Sequence, residues 1–374
     1  TPTRKVPRMT DFDPAAAWSD LADSDTLGTP ITEVAERFAV KPKHYRPFVE
    51  AADRFVTEAQ QTKRFYTGIG QFDEAMRGIS PGHLGVITGY SHSGKTLVML
   101  HMLRNNREAK IAWFTPDEPA PLVLTKLTSL THGIPARDLE ARVAAGDEEA
   151  IGLLRQTALE EFPNLIVFDK PLSTSVLHDG YKEACDVWGS GADIVVVDYV
   201  DLVQGPETVP AKFDILKSFV SIHEVAMWAI HQTSRSGGAE GKAITISSGN
   251  YGGEQHATMM IGVRRKVSAL MAELGEQRVK LMRNPTEATG ERIADLEYEI
   301  AIHTYTLTAN VVKNKRPGGT LVDEIDFELA QSTGRIHQLA HGDLPQQHLR
   351  RNGIPEATPP KPTDQTTEID WDGT

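Results

Sequence analysis

Eight consecutive residues, Gly89-Tyr90-Ser91-His92-Ser93-Gly94-Lys95-Thr96, set two glycines, a lysine and a hydroxyl in the pattern G-x-x-x-x-G-K-[ST]. That pattern suits a triphosphate. The glycines let the backbone curl so that its N–H groups face phosphate oxygens, and a helix N-terminus behind them favours negative charge. Lys95 is expected on the β- and γ-phosphates and Thr96 on Mg²⁺. A second metal arm is expected at the end of an apolar strand, and Ile194-Val195-Val196-Val197-Asp198 provides it. Turnover also needs a group that orients or deprotonates water. Glu118, with Asp117 as second choice, follows the strand Ile111–Phe114, which is expected to lie beside the strand leading into the loop.

These side chains need a scaffold. The runs Leu84–Thr88, Ile111–Phe114, Leu165–Phe168, Ile194–Val197 and Ala226–Ile230 are continuously apolar and alternate with helical stretches. Such runs fit central strands covered on both faces, so the fold class is α/β, with a mostly parallel twisted sheet over residues 63–340. Within that body, Val267, Leu270, Leu274 and Leu281 follow helical spacing, Asn284-Pro285 breaks it, and Ile293, Leu296 and Ile300 resume it. Residues 264–301 therefore read as an inserted helical hairpin with charged outer faces. Tyr305–Val312 and Glu324–Leu329 read as an antiparallel pair around Pro317-Gly318-Gly319. Residues 1–30 read as a flexible arm, 31–62 as a helical extension, and 341–374 as a disordered acidic tail containing Trp371.

The 374 residues carry 39 Lys and Arg against 51 Asp and Glu, a net charge of −12, so no global basic field exists to hold nucleic acid. Any DNA contact is left to local loops, Gln204–Asp214 and the Gly- and Ser-rich Ser234–Gly253 with Arg235 and Lys242. Contacts of that kind follow the backbone without reading sequence. The single cysteine, Cys185, excludes an internal disulfide and a Cys-based zinc site. His83, His92, His101, His223, His231 and His256 show no H-x-x-x-H or H-E-x-x-H pairing. No apolar run approaches membrane-spanning length and no leader precedes the arm, which points to a cytoplasmic location.

In order along residues 64–339, several blocks resemble the RecA-like core of DnaB-type replicative helicases, within the RecA/RadA/DnaB superfamily of P-loop ATPases. They are Thr67–Asp73 with Gly78–Leu84, the phosphate loop, Asp198–Leu202, Trp228–Arg235, Gly253–Met260 and Val312–Gly319. The resemblance implies a hexameric ring with ATP and Mg²⁺ at subunit boundaries and single-stranded DNA in the channel. It implies that Gln232 senses the γ-phosphate and that Lys313 and Lys315, with Arg316 as a shifted alternative, act on the neighbouring subunit's nucleotide. The family's globular N-terminal collar domain has no counterpart among the residues before this core, and the 264–301 hairpin is not part of the family pattern. The hairpin and the acidic tail are candidate contacts for other replication proteins. The compact organisation suits a phage protein. A RecA/RadA-like recombination ATPase is the alternative, and a structure-specific nuclease using Asp193, Asp198, Asp201, Asp117 and Glu118 ranks below it.

Overall fold

A computed structural model describes Val56 and residues 64–233, 243–246, 255–340 and 343–345. The arm, the acidic tail apart from 343–345 and the helical extension apart from Val56 lie outside these residues. Val56 itself is helical and exposed.

The chain alternates strand and helix as its apolar runs require. After α1 (Gly70–Met76) come β1 (Leu84–Gly89), α2 (Lys95–Asn105), β2 (Ile111–Phe114), α3 (Ala120–His132), α4 (Ala136–Ala144) and α5 (Glu148–Gln156). Then follow β3 (Leu165–Phe168), α6 (Thr174–Trp188), β4 (Ile194–Asp198), α7 (Val209–His223) and β5 (Ala226–Gln232). The last part holds β6 (Met259–Arg264), α8 (Lys266–Arg283), α9 (Glu287–His303), β7 (Thr306–Asn314), β8 (Val322–Ala330) and β9 (Arg335–Gln338). Side-chain oxygens of Asp147, Ser173, Thr208 and Thr286 accept N–H groups at the starts of α5, α6, α7 and α9. Asp147 relieves two of the donors a helix start leaves unpaired, and the other three residues one each.

The strands form one nine-stranded sheet in the order β3-β2-β4-β5-β1-β6-β7-β8-β9. Pairing is parallel from β3 to β6 and antiparallel from β6 to β9. Alternate residues of one strand enter two different cores. Trp113, Val196, Trp228 and Ile87 pack with α2 and α3 through Val98, Met99, Leu103 and Leu127. Ala112, Phe114, Val195, Val197 and Met227 pack with α6 and α7 through Leu177, Phe213, Leu216 and Phe219. Two covered faces explain why these strands read as unbroken apolar runs.

Three expectations change. The strand Ile111–Phe114 does not neighbour β1, because β4 and β5 stand between them. Strand β6 was hidden in the segment before the hairpin and β9 in the run after β8. Each is a single short strand at the end of a larger motif, where periodicity carries little signal. The Gln204–Asp214 stretch is only partly a loop, since α7 begins at Val209 behind the Thr208 cap. The hairpin itself is as expected, shifted by two residues so that Arg264 ends β6 and α9 runs on to His303.

Candidate nucleotide site

The loop after β1 closes only around glycine at two positions. A Cβ on Gly89 would lie 2.1 Å from the Val263 carbonyl oxygen and 2.6 Å from Ser93 Oγ. A Cβ on Gly94 would lie 2.4 Å from Leu307 Cδ1, and its φ of +99° is one that side chains rarely adopt. Strands β6 and β7 therefore floor the loop. Tyr90 and Ser93 are buried, Ser91 is half-buried, and His92 is exposed with a φ of 58°. Gly94 leaves the N-terminus of α2 without a side-chain cap, so its N–H donors are available to an anion.

Lys95 Nζ donates to the Tyr90 carbonyl at 2.7 Å. Burial pushes the ammonium down to about 8, against the opposing pull of Asp198 and Asp201. Thr96 Oγ1 donates to Asp198 Oδ2 at 3.3 Å. Asp198 is buried at the end of β4, and burial first, then the charge of Glu118, pushes its carboxyl up to about 7.

Glu118 reaches this place from β2 through the turn after Phe114. Its Oε1 accepts from Lys126 Nζ on α3, and its Oε2 is buried with no hydrogen-bond partner among the described residues. Ser91, His92, Gly94–Leu97, Asp117, Glu118, Lys126, Asp198, Tyr199, Ile230 and Gln232 line one cavity of about 420 Å³. So Glu118 is near the loop as expected, although the expected reason was wrong. It gets there because β2 neighbours β4, which ends at Asp198.

Gln232 ends β5 directly opposite Gly89. Its N–H donates to Asp201 Oδ2 at 3.2 Å, and the same oxygen lies 3.2 Å from Nδ1 of the buried His231. Burial pushes the Asp201 carboxyl up, but the His231 hydrogen bond and charge and the Gln232 N–H together hold it below the usual range. Asp201 thereby ties the turn after β4 to the end of β5. Lys126 was not anticipated as part of the site, and Tyr199, Asp201 and His231 were named only within the blocks that carry the resemblance, Asp201 also among the acids of the nuclease reading. A lysine two turns into a helix, or a histidine inside an apolar strand, carries no spacing signal of its own.

Lys313, Lys315 and Arg316 are elsewhere. The registers Gly85↔Met259 and Met259↔Asn314 put them at the start of β1, the full length of that strand from Gly89. Lys313 is buried. Lys315 Nζ donates to the Gln255 carbonyl at 2.6 Å. Arg316 donates to Ser80 Oγ at 2.6 Å and to the Arg77 carbonyl at 3.1 Å, and burial pushes its guanidinium down to about 10. None of the three reaches the nucleotide cavity of its own chain, so a cis role for them is excluded by geometry. Arg235 and Lys242 lie outside the described residues. The acids suggested for a nuclease are split: Asp193 precedes the other end of β4 and accepts the Lys110 N–H at 2.9 Å.

An uncapped helix start, a lysine, a hydroxyl paired with a carboxylate and an unpartnered buried glutamate oxygen fit a nucleoside triphosphate with Mg²⁺. Sheet order and loop together give a RecA-like α/β core with a P-loop. Residues 65–237 match the family model of the DnaB-like helicase C terminal domain. A solved ATPase domain is 15% identical with a TM-score of 0.57, over 78% of this chain and 97% of that one. A DnaB-like replicative helicase, solved with attention to its interactions with primase, is 15% identical with a TM-score of 0.62, over 87% of this chain and 75% of that one. At such identity both likenesses concern the fold. No curated protein sequence matches the chain. Among the described residues no helix is long and apolar enough to cross a membrane.

Proposed function

We propose that this chain is an ATP- and Mg²⁺-dependent DNA motor that assembles as a hexameric ring, tracks single-stranded DNA without sequence preference and unwinds duplex at a replication fork in the cytoplasm. One observation carries the reading. The loop, Asp198, Glu118 and Gln232 converge on one cavity, while the basic hairpin residues stand at the far end of the same sheet. A site with its lysine, metal arm and base in one chain and basic residues on the opposite side suits subunits arranged head to tail.

Each residue then has a task. Loop N–H groups and Lys95 hold the β- and γ-phosphates, and Thr96 with Asp198 holds Mg²⁺. Mg²⁺, when bound, supplies positive charge against the phosphate oxygens. Glu118 orients the attacking water and accepts its proton, after its oxygen is released from Lys126. Gln232, tied to Asp201 at the end of β5, passes the state of the γ-phosphate to the segment that follows and holds Arg235. Lys315 or Lys313 from the next subunit offsets charge that builds in the transition state. Arg316, already held by Ser80 and Arg77, is the weaker candidate.

The test is an end-labelled forked DNA incubated with protein, Mg²⁺ and ATP, each sample run on native and denaturing gels. Full-length displaced strand that disappears with Lys95→Ala or with a non-hydrolysable nucleotide supports the motor. Shortened strands would replace it with a nuclease. DNA-stimulated turnover without displacement, but with strand exchange, would replace it with a recombination ATPase.

A further inference from the structure

Helices α6 and α7 cover the face of the sheet opposite α2 and α3, and between them they bring two histidines together. His178 lies in the second turn of α6, behind the Ser173 cap. His223 is the last residue of α7, where Glu224 in the left-handed conformation ends the helix. Neither lines the nucleotide cavity. The two are 45 residues apart in the chain, so no local spacing announces them.

Packing holds both rings. Tyr181 follows His178 by three residues and Phe219 precedes His223 by four, so each histidine has an aromatic neighbour on its own helix face. Phe219 lies 5.0 Å from His178 and 4.4 Å from His223, centroid to centroid, and Tyr181 lies 4.5 Å from His223. Tyr181 meets Phe219 edge to face at 5.3 Å. Phe219 and Tyr181 are buried and the histidines half-buried, so the imidazoles form the solvent side of the cluster.

His178 Nδ1 and His223 Nε2 stand 2.9 Å apart. Among the described residues this is the one hydrogen bond that either ring makes, and each ring's other nitrogen is left to solvent. Two nitrogens bound to one ion, each at about 2.0–2.1 Å, lie about 2.9 Å apart at a right angle and about 3.3 Å apart at the tetrahedral angle. The right angle belongs to the shells of Ni²⁺ and Cu²⁺, the tetrahedral angle to that of Zn²⁺. The nitrogens thus stand at the spacing of a right-angled pair, and only the N–H between them has to leave. The donor ring's proton passes through solvent to its outer nitrogen, and both inner lone pairs then face the ion. No third His, Cys, Asp or Glu among the described residues joins the pair, so water fills the rest of the shell. Rings held by packing lose little freedom on binding, which offsets the small number of protein ligands.

We propose that His178 and His223 form a two-imidazole site for a divalent transition ion, Ni²⁺ or Cu²⁺ in preference to Zn²⁺, which staples α6 to α7. Helix α7 leads directly into β5, so the ion restrains the element that carries Gln232 from its far end. The site does not depend on the motor reading.

The test is equilibrium dialysis of the untagged full chain against NiCl₂ without nucleotide, joined to mass-spectrometric mapping of histidine labelling by diethyl pyrocarbonate. His178→Gln and His223→Gln, each folded by circular dichroism, are expected to weaken the binding of one Ni²⁺ by about tenfold or more, no less than loss of an outer-shell partner costs. His337→Gln, which removes an exposed histidine on β9, should leave that binding unchanged. In the unsubstituted chain, free Ni²⁺ at about ten times its dissociation constant should slow labelling of His178 and His223 roughly tenfold while His337 goes on reacting. This second measurement needs no variant, so it decides even where a glutamine variant fails to fold. Equal Ni²⁺ binding by all three variants, or labelling of the pair unmoved by Ni²⁺, would overturn the site and leave a hydrogen-bonded pair between two helices. Protection by Zn²⁺ at lower concentration than by Ni²⁺ would overturn the right-angled assignment.

Discussion

The two halves of the sheet are built on different terms. From β3 to β6 every pairing is parallel, β1, β2 and β4 are buried throughout, β5 and β6 are buried up to their last residue, and β3 at the edge is half-buried. From β6 to β9 the pairing is antiparallel and burial is mixed, with Asp323 and Glu324 of β8 exposed. The first half carries the residues that line the candidate nucleotide cavity at its strand ends. The second floors the phosphate loop and carries the α8–α9 insertion. A parallel strand needs a long crossover back to the same end of the sheet, so loops following β1, β2, β4 and β5 gather at one end. An antiparallel turn only has to return the chain, so the β6–β7 connection tolerates an extra pair of helices.

The contrast can be broken at its strongest point first. Lys95→Ala should lower ATP turnover by about 10³-fold with the fold retained, measured by phosphate release and circular dichroism. Undiminished turnover would remove the loop from the site. Glu118→Gln should follow with a loss of about 10²-fold in turnover and nucleotide affinity kept, read by single-turnover kinetics and fluorescent-nucleotide titration. If affinity falls instead, Glu118 holds the ligand and does not act on water.

Stability sharpens the same comparison. A Cβ on Gly85 would sit 2.5 Å from the Trp228 ring, so Gly85→Ala should cost about 1–3 kcal/mol by thermal denaturation. Asp201→Asn should cost about 1 kcal/mol at neutral pH. Because the folded state holds Asp201 below its ordinary 3.8, that stability is present above this value and is lost as pH falls below it. The Tm gap between Asp201→Asn and the unsubstituted chain should therefore close in acid; a gap constant with pH would mean the charge contributes nothing. In the insertion the sign reverses. Nothing lies within 4 Å of a Cβ on Gly290, so Gly290→Ala should gain about 0.5–1 kcal/mol.

Legibility followed the same division. Strands covered by helices leave a run of apolar residues, and the buried β2 and the half-buried β3 begin and end where the sequence places them. The hairpin was equally plain from its 3-4-7 spacing. Strands β6 and β9 were not, because a short strand at the edge of another motif has too few residues to establish a period. Glu118 was found by a wrong neighbour argument, since order in the sheet is a long-range property that no local pattern encodes.

Sequence alone determined the α/β class, the phosphate loop, Asp198 as its partner and the insertion, because each is written in local spacing and residue type. Only the tertiary structure decided that β4 and β5 separate β2 from β1 and that Lys126 faces Glu118. It alone showed that Asp201 links His231 to the end of β5 and that Lys313, Lys315 and Arg316 stand at the far end from their own loop. Those facts depend on which distant segments pack together, and burial of apolar surface, being non-directional, does not declare its partners in a linear chain.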